Sequence, residues 1–240
     1  MKKFAVFDVD GTFFRSGLYR ELVTEFVKRG IFSDEEKIAI EDIERNWRQD
    51  RSQESFHHLD GTIIEMFEAH LATLSPAAYD EVARQVVENH HSNVFSYTSQ
   101  LAQRLKSEGY TLIAISGSQH ELVEDFMRRH GFDISVGLLH ERDGNAFTGQ
   151  SKRVYNNKHT ILQEIVSERG LTFDGSVAIG DTAGDIEMMA LADRAIAFNP
   201  DQVLLAHAKA QGWEVVVERK GCTYHLTFPD DPGSEVAYAR

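Results

Sequence analysis

The chain has 240 residues, 42% of them hydrophobic and 26% charged, which is typical of a globular protein with one large domain or a domain carrying an insert. Its 38 acidic residues outnumber its 25 basic residues, and the net charge of −13 argues against nucleic acid and against an anionic membrane surface as partners. The single cysteine, Cys222, excludes an internal disulfide, and no apolar run forms a secretory signal or approaches the about 18 residues of a membrane span, so we expect a cytoplasmic protein.

The first predicted element is a short buried strand over residues 3–7, which are apolar and rich in β-formers. From about residue 18 to residue 91 the apolar spacing is helical instead. Ser33 with Glu36 predicts a capping box, and Ser75 predicts the start of another helix. We therefore expect a helical block of about 75 residues without a strand, inserted directly after the first strand.

After this block, strands alternate with helices, which indicates an α/β fold with a parallel sheet. The predicted strands are 110–116, 176–181, 194–198 and 213–217, with short strands and turns over 134–149. The predicted helices are 98–108, 119–130, 156–169, 184–191 and 201–210. The sequence thus predicts a core domain of residues 1–14 and 95–240 and a helical cap domain of residues 15–94, with a loosely ordered tail over 228–240.

Polar residues follow three of the predicted strands: Asp8 and Asp10, then Ser116, Gly117 and Ser118, then Asp181 with Asp185 close behind. Ligands of open parallel sheets bind outside the carboxyl ends of the strands, so we expect these side chains to converge. Four carboxylates in one place repel one another unless a cation offsets them. Mg²⁺, which binds carboxylates together with substrate phosphate oxygens, suits that need.

Magnesium beside carboxylates suggests phosphoryl transfer, which needs a positive group opposite them. Lys158 opens a predicted helix just before the strand that ends at Asp181, and Lys152 and Arg153 are the alternatives. The backbone N–H groups near Gly11 and Gly117 can approach phosphate oxygens closely, because glycine has no side chain.

The segment "DVDGT", the strand ending in Ser116, Lys158 and the segment "GDTAGD" together resemble the four motifs of the haloacid dehalogenase superfamily, in the family's order. The helical insert resembles the C1-type cap of phosphoserine phosphatases, in subfamily IB of that superfamily. The resemblance implies a doubly wound, Rossmann-like core with an all-helical cap. It also implies a Mg²⁺-dependent phosphatase acting on a small phosphorylated metabolite.

The resemblance implies a role for each motif residue. Asp8 would be the nucleophile that forms an aspartyl-phosphate, and Asp10 the general acid and then the general base. Mg²⁺ would bind the Asp8 and Asp181 carboxylates and the backbone carbonyl of Asp10. Asp185 would be either a further ligand or a residue that supports the ligands. Lys158 would bind the phosphoryl group and keep Asp8 ionised. The expected phosphate-binding residues are Gly11, Thr12, Ser116 and Gly117.

Three departures from the phosphoserine phosphatase pattern argue against phosphoserine as the substrate. Arg15, Ser16 and Gly17 occupy the region in which those enzymes carry a glutamate, Gly184 replaces an asparagine, and Gly11 replaces a serine. Arg15 and Arg20 follow the catalytic loop and are the candidates for substrate binding. The sequence does not decide between substrate contact and packing or surface roles for Trp47, Arg48, Arg51, His57 and His58.

Two other functions fit parts of the pattern. A phosphotransferase or phosphomutase of the same fold would differ only in passing the phosphoryl group to a hydroxyl instead of water. A non-catalytic phosphate-binding regulator, such as a receiver domain, also gathers acids and a lysine at strand ends, but it lacks a large helical cap and is about half this length.

Overall fold

The computed structural model describes residues 2–50, 53–71, 73–152, 154 and 156–228, without the side chains at 34, 44, 47, 48 and 53–60. Of the tail that the sequence predicts to be loosely ordered, residues 229–240 lie outside this part. Among the described residues, none of the helices combines the length and the apolar character that crossing a membrane requires.

The described residues form one eight-stranded sheet. Its strands are β1 (Lys2–Phe7), β2 (Thr111–Gln119), β3 (Ile134–Asp143), β4 (Ala146–Lys152), β5 (Leu171–Gly180), β6 (Arg194–Phe198), β7 (Glu214–Arg219) and β8 (Cys222–Leu226). Their order across the sheet is β4-β3-β2-β1-β5-β6-β7-β8. All neighbours pair in parallel except the edge strands β4 and β8. The predicted α/β class with a parallel sheet is confirmed.

The helices fall into two groups along the chain. Between β1 and β2 come α1 (Leu18–Lys28), α2 (Asp34–Asp50), α3 (Gln53–Leu71), α4 (Pro76–His90) and α5 (Ser96–Ser107). Later come α6 (His120–Arg129), α7 (Lys158–Arg169), α8 (Ile186–Met189) and α9 (Gln202–Gln211). Helices α1–α4 form the predicted helical block, here called the helical insert. The exact boundaries of the core and cap domains stay a prediction.

The predicted helix starts in the insert are confirmed by side-chain contacts. The Ser33 backbone N–H donates to Glu36 Oε2 (2.8 Å), and the Glu36 N–H donates to Ser33 Oγ (3.3 Å). Ser75 Oγ accepts from the Ala78 N–H at 3.2 Å at the start of α4. These bonds satisfy N–H groups that a helix start otherwise leaves unpaired.

The alternation of side chains along β1 separates two hydrophobic cores. Ala5 and Phe7 face a core shared with α5, α6 and the helical insert, whereas Phe4 and Val6 face a core shared with α7, α8 and α9. The sheet is therefore covered on both faces, as in doubly wound folds. The carboxyl end of β1 lies between those of β2 and β5.

The structure differs from the sequence prediction at several places. Strand β5 begins at Leu171, five residues before its predicted start at 176. Strand β2 runs past Ser116 to Gln119, because Ser116 and Ser118 find hydrogen-bond partners at the strand end. The predicted helix 184–191 is a 3₁₀ turn (Ala183–Asp185) followed by the short α8. Strand β8 was not predicted, because its residues, including the exposed Cys222, cover an edge and carry no strong apolar signal.

Candidate active site

Asp8 directly follows β1 and lies beside the end of β5. Its backbone N–H donates to Ile179 O (2.9 Å), which continues the parallel pairing of the two strands. The chain then turns, with the Phe13 and Phe14 N–H groups both donating to Val9 O (2.9 and 2.8 Å). This turn returns the backbone over the carboxyl ends of the strands and buries Asp8.

Asp8, Asp181 and Asp185 form a compact carboxylate group, with one oxygen from each lying within 4.8 Å of the others. Asp181 follows β5 directly, and Asp185 ends the 3₁₀ turn. Asp185 Oδ2 accepts from the Asp181 N–H (3.2 Å), the Thr182 N–H (3.0 Å) and Thr182 Oγ1 (3.1 Å). Asp185 therefore also fixes the loop that presents Asp181.

Lys158 is the first residue of α7 and links two of these carboxylates. Its Nζ donates to Asp8 Oδ1 and to Asp185 Oδ1, both at 2.6 Å. Burial disfavours the charged ammonium, but the two carboxylates outweigh burial and raise the pKa of Lys158 above its ordinary value. Of the two alternatives, Lys152 is exposed on β4 and Arg153 lies outside the described residues.

The carboxylates outnumber the positive charge that the described residues bring to them. Burial, together with the neighbouring Asp185 and Asp10 carboxylates, raises the pKa of Asp8 to about 7 although Lys158 opposes the shift. Burial and the Asp8 and Asp185 charges also raise the pKa of Asp181 well above its ordinary value. A hard divalent cation would offset this excess, so the set of oxygen donors fits Mg²⁺.

Asp185 is the carboxylate least able to offer a free oxygen to such a cation. Both of its oxygens already accept hydrogen bonds, and its side chain is fully buried. Asp8 and Asp181 are therefore better placed as direct ligands, with Asp185 holding Lys158 and the Asp181 loop in place.

The Asp10 carboxylate is engaged on both oxygens by donors other than Lys158. Oδ1 accepts from the Leu18 N–H at the start of α1 (2.6 Å), and Oδ2 accepts from Ser116 Oγ (2.6 Å) and Ser118 Oγ (2.7 Å). Asp10 thus connects the turn after β1 with the end of β2 and with the first helix of the insert.

The residues predicted to bind phosphate lie around this group. Gly11 has a φ of +86°, and a Cβ there would lie 2.2 Å from Asp181 Oδ2, so no side chain fits. Gly117 is exposed, with open space where a Cβ would be. Thr12 is buried, and its Oγ1 donates to Asp181 Oδ1 (2.9 Å), which makes it a support for that carboxylate. Ser116 is buried and donates to Asp10.

The structure does not bring Arg15 to the carboxylate group. Its guanidinium pairs with Glu218 on β7, donates from Nε to Val94 O (2.8 Å) and lies over the Phe95 ring. The buried Glu218 carboxylate balances the Arg15 charge. Arg15, which precedes the insert, therefore contacts both the sheet, at Glu218, and the segment that follows the insert, at Val94. Arg15 is thus engaged with Glu218 and Val94, and its expected role in substrate binding stays a prediction.

Arg20 lies on α1 and faces the interior of the helical insert. It lines a cavity of about 190 Å³ with residues of α1, α2 and α3, among them Ile40 and Ile63. The side chains of Trp47, Arg48, His57 and His58, and the whole of Arg51, lie outside the described part.

Ser118 is a site residue for which the sequence analysis predicts no role. Its hydroxyl is almost fully buried and bonds Asp10. The signal was the spacing Ser116-Gly117-Ser118. Residues two apart in a strand point to the same side, so an extended strand end would aim both hydroxyls at one partner.

Comparisons with known proteins fit this geometry. The family model of haloacid dehalogenase-like hydrolases matches residues 5–190. The phosphoserine phosphatase SerB1 of Mycobacterium tuberculosis is 26% identical over 150 residues, which are 61% of this chain and 46% of that protein. The histidinol-phosphatase of Neisseria meningitidis is 22% identical over 227 residues, 90% of this chain and 99% of that protein.

A solved structure of a phosphoserine phosphatase in its apo form has a TM-score of 0.62 at 20% identity and covers 92% of this chain and 95% of its own. At this identity the likeness concerns the fold. The chain spans about half the length of the mycobacterial relatives that it matches.

Proposed function

The chain belongs to the haloacid dehalogenase-like hydrolases, and on this premise we propose that it is a Mg²⁺-dependent phosphatase that hydrolyses a small phosphomonoester through an aspartyl-phosphate on Asp8. One observation carries the proposal. Lys158 Nζ bridges the buried Asp8 and Asp185 at 2.6 Å each, and the half-buried Asp181 completes a group of three carboxylates at the carboxyl ends of parallel strands. Such a group can hold a cation beside an oriented nucleophile.

In the first step, an Asp8 oxygen attacks the phosphorus atom and the bond from phosphorus to the alcohol oxygen breaks. Lys158 donates to Asp8 Oδ1 and so fixes the carboxylate and favours its ionised, nucleophilic form. Asp10 gives its proton to the departing alcohol oxygen, so that the alcohol leaves as a neutral molecule.

In the second step, water attacks the phosphorus atom of the aspartyl-phosphate and the bond between phosphorus and the Asp8 oxygen breaks. Asp10, now ionised, takes the proton of the attacking water. Asp8 returns as a carboxylate and inorganic phosphate leaves, so both residues end in their starting forms.

Charge on the phosphoryl oxygens needs positive partners throughout. Mg²⁺, when bound by Asp8, Asp181 and the backbone carbonyl of Asp10, supplies part of that positive charge. Lys158, the Ser116 hydroxyl and the backbone N–H groups near Gly11 and Gly117 are the groups of this chain that would contact the same oxygens.

The substrate class that we propose is a phosphate ester of a small alcohol. The relatives named above are a phosphoserine phosphatase and a histidinol-phosphatase, and both names refer to phosphate esters of small amino alcohols. Gly17 lies in the region where the phosphoserine enzymes carry a glutamate for the amine, which argues against phosphoserine itself.

The proposal is tested by phosphate release from O-phosphoserine, histidinol phosphate, glycerol 2-phosphate and p-nitrophenyl phosphate, with Mg²⁺ or with EDTA. We expect hydrolysis that depends on Mg²⁺ and that is slower for phosphoserine than for the best ester. Equal release of phosphate and alcohol in the presence of added acceptor alcohols would distinguish hydrolysis from phosphoryl transfer to a hydroxyl. Absence of Mg²⁺-dependent release from every ester would contradict the proposal.

A further inference from the structure

The hydrogen bonds at Asp10 are more numerous than its role in proton transfer alone requires. An aspartate carboxylate rotates broadly about its last torsion, so its orientation depends on such partners. Here the Leu18 N–H holds Oδ1, and two serine hydroxyls hold Oδ2 at 2.6 and 2.7 Å. The carboxylate is therefore fixed by three donors from two different elements.

The direction of the bond from Ser118 follows from its second partner. Ser118 Oγ accepts from the Tyr19 backbone N–H at 3.0 Å, which occupies a lone pair and leaves its single proton for Asp10. Tyr19 is in the first turn of α1, whose N–H groups have no partner within the helix. Ser118 is 3% exposed, so water does not compete for the hydroxyl.

Ser116 has a competing demand that Ser118 lacks. In the proposed reaction the Ser116 hydroxyl turns to the phosphoryl oxygens. Because it has a single proton, it then no longer donates a hydrogen bond to Asp10 Oδ2. Ser118 is already committed to Asp10 on one side and to Tyr19 on the other. It is the hydroxyl that stays on Oδ2 while the phosphoryl group is bound.

We infer that Ser118 is a positioning residue: its hydroxyl holds the Asp10 carboxylate in the orientation from which Asp10 protonates the leaving alcohol. The inference rests on the proposed function and adds a specific task for a residue outside the phosphate-binding set. Ser118 acts only through Asp10 and contacts no reacting atom.

The test compares Ser118→Ala and Ser118→Thr on two esters that differ in their need for a proton. The alkoxide of glycerol 2-phosphate is a poor leaving group without protonation, whereas p-nitrophenolate leaves unaided. General acid catalysis contributes about 100-fold to 10,000-fold, and the orientation of the acid accounts for part of that factor. We expect Ser118→Ala to lower kcat/KM, which reports the steps up to the departure of the alcohol, at least about tenfold more for glycerol 2-phosphate than for p-nitrophenyl phosphate, and Ser118→Thr to restore most of the difference.

A second measurement removes Asp10 from the comparison. In an Asp10→Asn background, Ser118→Ala should cause almost no further loss on glycerol 2-phosphate, because the residue through which it acts is gone. Ser167→Ala, on the exposed face of α7, is the matched serine control and should behave as wild type. Ser118→Cys, which keeps the volume but donates weakly, replaces the alanine variant if that variant does not fold.

The outcomes separate the inference from the function beneath it. Equal losses of kcat/KM on both esters, no loss on either, or the same loss with and without Asp10 would overturn the role of Ser118 while the phosphatase stands. A wild-type protein that hydrolyses none of the four esters of the panel would overturn the proposed function and the role of Ser118 with it.

Discussion

Gly11 shows at the scale of one residue why the loop after β1 has its sequence. Its φ of +86° is a conformation that L side chains rarely adopt, and the Asp181 carboxylate occupies the space of a Cβ. The loop brings its backbone against the Asp181 side chain, which only glycine allows. Positive φ alone is common in this chain, so the close approach is what sets Gly11 apart.

We expect Gly11→Ala to abolish Mg²⁺-dependent phosphate release and to remove the stabilisation by Mg²⁺, because the new methyl group displaces Asp181. Gly144→Ala is the matched control: its φ is +57°, but nothing lies within 4 Å of the added Cβ. That variant should lose only about 1 kcal/mol of stability from backbone strain. Enzyme assay and thermal melting with and without Mg²⁺ would measure both, and an active Gly11→Ala enzyme would contradict the geometry.

At the scale of elements, one buried acid fastens the connections between the sheet and the helical insert. Glu218 on β7 accepts from the Tyr97 N–H (2.8 Å) and the Ser96 N–H (3.3 Å) at the start of α5, and it pairs with Arg15. Arg15 precedes α1, and the start of α5 follows the insert. The same carboxylate therefore contacts the chain where it enters the insert and where it leaves it.

Glu218→Ala should destabilise the protein by about 3 kcal/mol, because it leaves the Arg15 charge and two backbone N–H groups of α5 without their partner. The Glu218 side chain is 1% exposed and that of Arg15 35% exposed. In the control pair, Arg194 and Glu214 are 38% and 42% exposed, so Glu214→Ala should cost no more than about 1 kcal/mol. Urea unfolding measures the difference, and equal costs for the two variants would contradict the role of Glu218.

The elements that the sequence predicted well are those in which apolar residues cluster clearly along the chain. β1 and β6 have apolar runs, and α7 has an apolar stripe, and all three form close to their predicted bounds. The sequence could not show that β2 extends to Gln119, because its polar end is stabilised by Asp10 and Tyr19 from elsewhere in the chain. Nor could it show that Arg15 pairs with Glu218, since 203 positions separate the two residues.

In the site, too, local patterns predicted some features, whereas others depend on contacts between distant parts of the chain. Asp8, Asp181, Asp185 and Lys158 were predicted together from strand ends and motif order, and the structure places them in contact. The support that Thr12 gives to Asp181 was not predicted, because it depends on which way a side chain turns within a loop. Sequence patterns identify groups with chemical roles, whereas tertiary contacts decide which neighbours orient them.

At the scale of the whole molecule, the stability should depend on pH through the buried carboxylates. The pKa of Asp8 rises from 3.8 to about 7, so in this pH range the unfolded chain releases a proton that the folded protein keeps. The free energy of unfolding of the metal-free protein therefore falls as the pH rises between these values. Asp181, whose pKa is also raised, acts in the same direction.

Mg²⁺ binds the ionised carboxylates, so it should stabilise the protein more at pH 8 than at pH 5.5. We expect the melting temperature to rise by several degrees with Mg²⁺ at pH 8 and by clearly less at pH 5.5. NaCl at equal ionic strength controls for screening of the net charge of −13, and Asp181→Asn should lose the specific effect. A stabilisation by Mg²⁺ that is equal at both pH values would contradict this assignment of the metal site.

The most direct test of the central claim is the turnover of Asp8→Asn on the best ester of the panel. The exposed Asp174→Asn variant is the matched control and should hydrolyse the ester at the wild-type rate. If Asp8 is the nucleophile, Asp8→Asn loses at least about 1,000-fold in kcat while it keeps its fold. If a folded Asp8→Asn variant instead hydrolyses the ester at a rate close to wild type, no aspartyl-phosphate forms at this position and the proposed mechanism is wrong.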